Sequence, residues 1–375
     1  MHVGFNLIYL MPGSSGGMET VARELIPAIA RERPDIRLTA FVNREASEEQ
    51  GPWRDAANWI VLPVRSSNRA EWIRGEQLLL PGRAAECGVD LLHSLGATAP
   101  GRGRFRRVVS IYDFNYKLFP ETHHRILGVG LDIMVRFGAR RSDRIIVCSH
   151  STELDAPRLL GVEPGVIDVV PLGLGSVSLG AATSERILRE RFDLPDGPVI
   201  LTISDKRAHK NLVRLVEAFA LLPPAQRGTL VIVGHSTQGE SPLREAVARR
   251  SLEGSVRVSG WVSPADRDGL YRLASGFVFP SLYEGFGLPV LEAMARGVPV
   301  ACSNAASLPE VAGEAALLFD PIDVRAIADA IGTLLAGGSG VQRLRDAGLK
   351  QAGRFTWERT ASLTLDCYER TLAGS

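Results

Sequence analysis

Short apolar runs alternate with longer amphipathic runs along the 375-residue chain. Val3–Leu10 reads as a buried strand and Met18–Arg31 as the helix that follows it. Arg37–Val42, Ile60–Val64, Leu91–His93, Arg107–Ile111, Arg144–Cys148 and Val166–Val170 continue the strands, with an amphipathic stretch at His124–Arg140. Pro171–Ala182, PLGLGSVSLGAA, is rich in glycine and serine, has no period, and reads as a linker. The alternation then restarts. Val199–Ile203 is a strand and Asn211–Leu222 a helix, and strands follow at Leu230–Val233, Val256–Ser259, Phe277–Phe279 and Val298–Ala301. Trp357–Leu372 is a helical pattern with no strand after it. Strand–helix–strand repetition implies parallel sheets with helices on both faces. The expectation is therefore an α/β chain of two doubly wound, Rossmann-like domains, at 1–175 and 183–356. Ligands of such sheets sit beyond the carboxyl ends of the strands. If the two sheets face each other, one cleft is lined by both sets of ends and suits two substrates.

Composition narrows the function. A chain that is 45% hydrophobic and 23% charged is ordinary for a soluble globular protein, and a net charge of +1 argues against a dedicated nucleic-acid binder. Cys87, Cys148, Cys302 and Cys367 form no CxxC pair, so they read as buried, reduced thiols rather than a zinc ribbon or redox pair. The N-terminus has no basic region before its apolar run, and no apolar run is long enough to span a bilayer. A cytoplasmic protein is expected. Arg102–Arg144 holds ten Lys or Arg residues and four acids among apolar residues, which reads either as a solvated helix face or as a peripheral contact with an anionic membrane.

Four segments carry chemistry. Ser281–Ala295, SLYEGFGLPVLEAMA, directly follows a strand. Pro289 belongs in the first turn of a helix, where its missing N–H costs nothing. Glu284 then lies on the loop and Glu292 just inside the helix, while the amides of Phe286, Gly287 and Leu288 point from the helix start. Two carboxylates at this spacing can accept hydrogen bonds from hydroxyls at the two ends of a nucleotide sugar. Ser204–Asn211, SDKRAHKN, places Lys206, Arg207 and Lys210 at another strand end, where fixed cations would meet the charge of a departing diphosphate. Pro12–Thr20, PGSSGGMET, offers Gly16 and Gly17 for close backbone approach, without the spacing of a dinucleotide fingerprint or a P-loop. Asp113 ends the strand of Ser110–Asp113, either as a ligand for a substrate hydroxyl or as a helix cap. No DxD pair of the sort that would hold Mg²⁺ or Mn²⁺ on a diphosphate stands out and His123 and His124 are adjacent, so no metal site is expected.

The segments HKN, GWV, SLYEGFGLPVLEAMARGVPV and SLPEVAGEAALLFDP resemble the retaining glycosyltransferases of family four, which include bacterial mannosyl- and rhamnosyltransferases and sucrose synthase. The resemblance spans nearly the whole chain. It implies the GT-B fold, with the closing helix, 357–375, returning to the first domain. It implies no cofactor, only a nucleotide diphosphate sugar as substrate, with GDP-mannose favoured, and a glycan, lipid-linked or small-molecule acceptor. It assigns Glu284 to donor-sugar hydroxyls and Glu292 to the ribose. Lys210 would bind the diphosphate, with the amides of Phe286, Gly287 and Leu288 beside it and Gly17 closing on it. Trp261 and Val262 would border the base. The family usually carries an arginine about five residues before the lysine, where Asp205 stands. Lys206 or Arg207 takes its place, with Lys206 preferred. Tyr112 precedes Asp113 where the family often has histidine, so a histidine contact to the donor sugar is not carried over.

The mechanism this implies is attack by the acceptor hydroxyl on the face from which the diphosphate leaves, with no metal. The alternatives on the same architecture are a glycosyl phosphorylase, a sugar-nucleotide epimerase, or an inactive nucleotide-sugar-binding scaffold.

Overall fold

The computed structural model describes residues 1–120, 125–175 and 182–374. His123, His124 and linker residues 176–181 lie outside the described residues.

Two compact units emerge. Described residues 1–117, 125–175 and 355–374 form the first, and 118–120 and 182–354 the second. The first unit holds seven strands: β1 (His2–Leu7), β2 (Arg37–Val42), β3 (Asn58–Val61), β4 (Leu91–Ser94), β5 (Arg106–Ile111), β6 (Arg144–Val147) and β7 (Ile167–Val169). They lie in the order β3-β2-β1-β4-β5-β6-β7, each paired in parallel with its neighbours. All six residues of β1 are buried, as expected of a central strand covered on both faces. The order reverses between β1 and β4, the position where doubly wound sheets open a crevice.

The second unit holds β8 (Val199–Ile203), β9 (Thr229–Val233), β10 (Val256–Ser259), β11 (Gly276–Phe279), β12 (Val300–Ser303) and β13 (Ala316–Phe319). Their order is β10-β9-β8-β11-β12-β13, again parallel throughout. The sequence pattern misses β13. This four-residue edge strand pairs only with β12, and just one of its residues is buried, so its apolar signal is weak. The core on one face of this sheet gathers Ile200, Leu215, Phe219, Leu230, Ile232, Val278 and Ile331.

The helix Trp357–Ala373 packs in the first unit. Buried Tyr368 shares a 2.7 Å hydrogen bond with Nδ1 of His93 on β4, and Arg370 donates to Asp168 on β7 at 2.7 Å. Gly173 lies so close that a Cβ there would sit 2.5 Å from the Trp357 amide. All four cysteines are free thiols. Three are buried, but Cys87 is only half-buried, contrary to the expectation for the set. Among the described residues, no helix is long and apolar enough to cross a membrane.

Candidate active site

The richest site elements of the second unit lie at the carboxyl ends of β8 and β11. After β8 a short 3₁₀ turn, Ala208–Lys210, leads into Asn211, which holds a left-handed conformation (φ 59°, ψ 27°) ahead of the helix Leu212–Leu221. Asparagine tolerates that conformation better than most residues. Its buried amide donates to the carbonyls of Pro280 (3.0 Å) and Pro321 (2.7 Å), while its oxygen accepts from Arg214 at 2.8 Å. The Leu282 amide donates to the His209 carbonyl at 2.8 Å. The lysine-bearing loop is thus stitched to the glutamate-bearing loop after β11.

That stitching brings Lys210 and Glu284 together. Lys210 Nζ donates to Glu284 Oε1 at 2.6 Å, with the side chains only 15% and 11% exposed. The ammonium also lies 5.6 Å from the centre of the Phe279 ring. Ser307 Oγ pins the Glu284 loop from below, donating to the carbonyls of Glu284 (2.9 Å) and Phe286 (2.5 Å). Gly287 caps the helix Leu288–Ala295 at φ 128°, a conformation L side chains rarely adopt, and a Cβ there would meet Leu308 at 2.8 Å. Pro289 stands in the first turn. Glu292, in the same helix, is tied elsewhere: Oε2 accepts from the Tyr271 hydroxyl at 2.9 Å, and Oε1 lies 3.7 Å from Arg267. Burial beside that carboxylate drives the Tyr271 hydroxyl pKa far up.

The two remaining cations differ sharply. Lys206 is buried, with Nζ donating to the carbonyls of Gly234 (2.6 Å) and Ser259 (2.7 Å) and lying 3.7 Å from Glu240. Burial pulls its pKa down, and Glu240 pulls it back up. It ties the β8 loop to the ends of β9 and β10, so its ammonium is committed within the protein. Arg207 is the more open of the two, 40% exposed and 3.0 Å from Asp205. The preference for Lys206 as the arginine substitute therefore does not fit the geometry. Trp261, just past β10, is 63% exposed, and Val262 is half-buried.

On the first unit, Gly16 heads the helix Gly17–Glu32 at φ 54°, and a Cβ on either glycine would meet nothing within 4 Å. Gly16 therefore answers a backbone need rather than a crowded one. Asp113 Oδ1 accepts from the Asn115 amide at 2.9 Å, a local contact two residues along the chain, just before the helix Asn115–Leu118. Sequence reasoning missed Ser307, Tyr271 and Arg267 as supports of the two glutamates. Ser307 lies inside the quoted SLPEVAGEAALLFDP block, whereas nothing in local sequence marks Tyr271 or Arg267. It also missed Phe119, whose ring lies 5.5 Å from His209 and 6.4 Å from Tyr283, beside the two site loops. Among the described residues no cluster of three metal-ligating side chains occurs.

Two strand–loop–helix elements of one parallel sheet, capped by Asn211 and Gly287, are thus joined through the Lys210–Glu284 ammonium–carboxylate pair. Comparison with known proteins gives the class. Residues 184–351 match the family model for glycosyl transferases group 1, and residues 15–174 that for Glycosyltransferase Family 4. O-antigen chain mannosyltransferase B of Escherichia coli is 30% identical over 352 residues, covering 91% of this chain and 92% of that protein. Sucrose-phosphate synthase from Thermosynechococcus elongatus superposes with a TM-score of 0.79 at 21% identity, covering all of both chains. Anabaena HepE in complex with UDP-glucose does so with a TM-score of 0.72 at 20% identity, again over the whole of both. The chain belongs to glycosyltransferase family 4. It is a glycosyltransferase of the GT-B fold.

Proposed function

We propose that the chain transfers mannose from GDP-mannose to a hydroxyl of a glycan, lipid-linked or small-molecule acceptor, with retention and without a metal. The observation that carries this reading is the 2.6 Å pair of Lys210 and Glu284 at the head of the Leu288–Ala295 helix. In the unliganded protein each charge neutralises the other. A nucleotide diphosphate sugar offers both a better partner: phosphate oxygens for Lys210 and sugar hydroxyls for Glu284. Donor binding thus exchanges one buried ion pair for two charge-assisted contacts.

Lys210 and Arg207 then face the charge that grows on the leaving diphosphate, which is where fixed cations lower the barrier. The amides of Gly287 and Leu288 add the positive end of a helix. The acceptor hydroxyl attacks the anomeric carbon on the face the diphosphate leaves, and a phosphate oxygen takes its proton, so no protein nucleophile is required. Glu292 receives the ribose and Trp261 stacks on the base. For Gly16, Gly17 and Asp113 the family roles stand as part of the proposal. The mannosyltransferase name of the Escherichia coli relative supports mannose, and the UDP-glucose held by the Anabaena neighbour supports the wider class of nucleotide sugars.

The test is a thermal-shift panel of GDP, UDP, ADP and dTDP with and without Mg²⁺, followed by transfer assays in EDTA with the anomeric product read by NMR. Ligand at a hundredfold excess over Kd stabilises by about 2.7 kcal/mol. GDP should shift the transition most, equally without metal, and the product should keep the donor's configuration. A shift confined to another nucleotide, dependence on Mg²⁺, or an inverted product overturns the corresponding part.

A further inference from the structure

In the second unit, Trp261 and Val262 run directly into Ser263, whose hydroxyl caps the helix Pro264–Leu273 by accepting from the Asp266 amide at 3.1 Å. Residues three and four apart lie side by side on a helix, so Arg267, Asp268 and Tyr271 share one side of it. Each of the three reaches toward Glu292 on the helix Leu288–Ala295, Asp268 by way of Arg296. The segment that would border the base therefore continues into the one that grips the carboxylate proposed for the ribose.

The two oxygens of that carboxylate are treated differently. The Tyr271 ring is buried, 5.6 Å from the ring of Phe277 and 4.9 Å from the Arg296 guanidinium. Its hydroxyl donates to Glu292 Oε2 at 2.9 Å, with the Pro289 carbonyl a longer second acceptor at 3.4 Å. Burial beside a carboxylate holds the phenol far above its ordinary pKa, so the proton stays in place for this bond. Arg296 fixes the backbone end of the same residue. Its Nη1 donates to the Glu292 carbonyl at 2.9 Å and its Nε to Asp268 Oδ1 at 2.7 Å, both side chains being buried. Glu292 is thus held at its carbonyl and at Oε2. Among the described residues Oε1 accepts no hydrogen bond and has only Arg267 beside it, at 3.7 Å, and 23% of the side chain is exposed.

We propose that Tyr271 is a positioning residue for nucleoside recognition: by binding Oε2 it leaves Oε1 of Glu292 as a fixed acceptor for the vicinal ribose hydroxyls, and so makes the donor site selective for ribonucleotides. The inference rests on the ribose role proposed for Glu292 and extends it to a residue that does not itself touch the donor. A glutamate loses much rotamer freedom when it is ordered, and here the fold has met that cost before a nucleotide arrives. A site built to bond a hydroxyl also rejects the analogue that lacks it, because its acceptor is then left unpaired. If Tyr271 only filled the core, its hydroxyl would matter equally for every nucleotide.

The test is calorimetric titration of the full chain with GDP, UDP and ADP, each against its 2′,3′-dideoxy form, and with dTDP. The proteins are the parent, Tyr271→Phe, Glu292→Ala and the double variant, each titrated well below its own melting temperature. Phenylalanine keeps the ring and removes only the hydroxyl. The parent should bind the ribo form of its nucleotide at least about tenfold more tightly than the dideoxy form, the worth of one hydrogen bond to a charged group. Tyr271→Phe should shrink that preference by about three- to tenfold while the dideoxy form binds as before. Glu292→Ala should remove the preference, and adding Tyr271→Phe to it should change the ratio no further. A ratio of two ligands on one protein cancels any general loosening of the fold, so a structural role would not move it. Equal weakening of both forms by Tyr271→Phe, or a further change of the ratio on the Glu292→Ala background, overturns the proposal. Equal binding of ribo and dideoxy forms by the parent, or a preference for dTDP, also overturns it and leaves the donor site standing. Failure of all four natural nucleotides to bind brings down the donor reading itself, and this inference with it.

Discussion

Replacing Lys210 by methionine should do two separable things. The first is structural. It leaves the Glu284 carboxylate, 11% exposed, without the ammonium that stood 2.6 Å away. Breaking a buried pair from one side costs about 3–5 kcal/mol, and the slight water access here puts this one at about 3 kcal/mol. In a unit of this size each 1 kcal/mol lowers Tm by about 2–4 °C, so the transition that reports the second unit should fall by about 6–12 °C. The second effect is on the reaction. Losing one preorganised charge at the diphosphate should slow turnover by about 10²–10³.

The companion Glu284→Gln distinguishes the two. In the double variant Lys210→Met/Glu284→Gln no charge is left buried, so much of the lost Tm should return, while turnover should stay low. The measurements are calorimetric melts of the four proteins and initial rates at saturating donor, read as a double-mutant cycle. The reasoning fails if Lys210→Met turns over at the parent rate. It fails equally if activity returns together with stability in the double variant, because Lys210 would then act only by holding the loop.

Trp261→Ala should raise the donor KM about tenfold through lost stacking, with Tm almost unchanged, since the indole is 63% exposed; an unaltered KM removes Trp261 from the base site. Lys206→Met strips Gly234 O and Ser259 O of their donor and Glu240 of a nearby cation, and should cost about 2–3 kcal/mol of stability with little change in donor KM, whereas Arg207→Ala should raise KM and spare Tm. Melts and donor titrations giving the reverse pattern would return the phosphate role to Lys206. His93 is neutral in the fold because burial pulls its pKa from 6.5 down to about 3. Its folded value is depressed, so its contribution is complete above the unfolded pKa and is lost as pH falls, by about 2 kcal/mol at pH 5. Melts at pH 7.5 and 5 should show a smaller acid loss in His93→Gln than in the parent, and equal losses would show that the ring does not drive it.

Most strands, the helix starts, and the placing of Glu284 on a loop with Glu292 in the helix after it were legible because each leaves a local mark: an apolar run, or a proline shortly after a glycine. Strand β13 left almost none, since an edge strand with one buried residue carries little apolar signal. What sequence could not rank was the pair Lys206 and Arg207. They are neighbours of the same sign on one loop, and local pattern treats them alike. Burial separates them, and burial is set by residues far along the chain: Gly234, whose positive φ lets β9 end against the Ser204 carbonyl, and Ser259, whose carbonyl receives the ammonium. The same limit governs the helix Arg125–Arg141. Its sequence reads as one amphipathic stretch, whereas the fold buries Val135 and Ala139 and leaves Ile133 and Phe137 exposed. A cation becomes available to a ligand when the fold leaves its side chain accessible, so the residue to vary first is Arg207, which is 40% exposed, rather than Lys206, whose ammonium is held by two carbonyls.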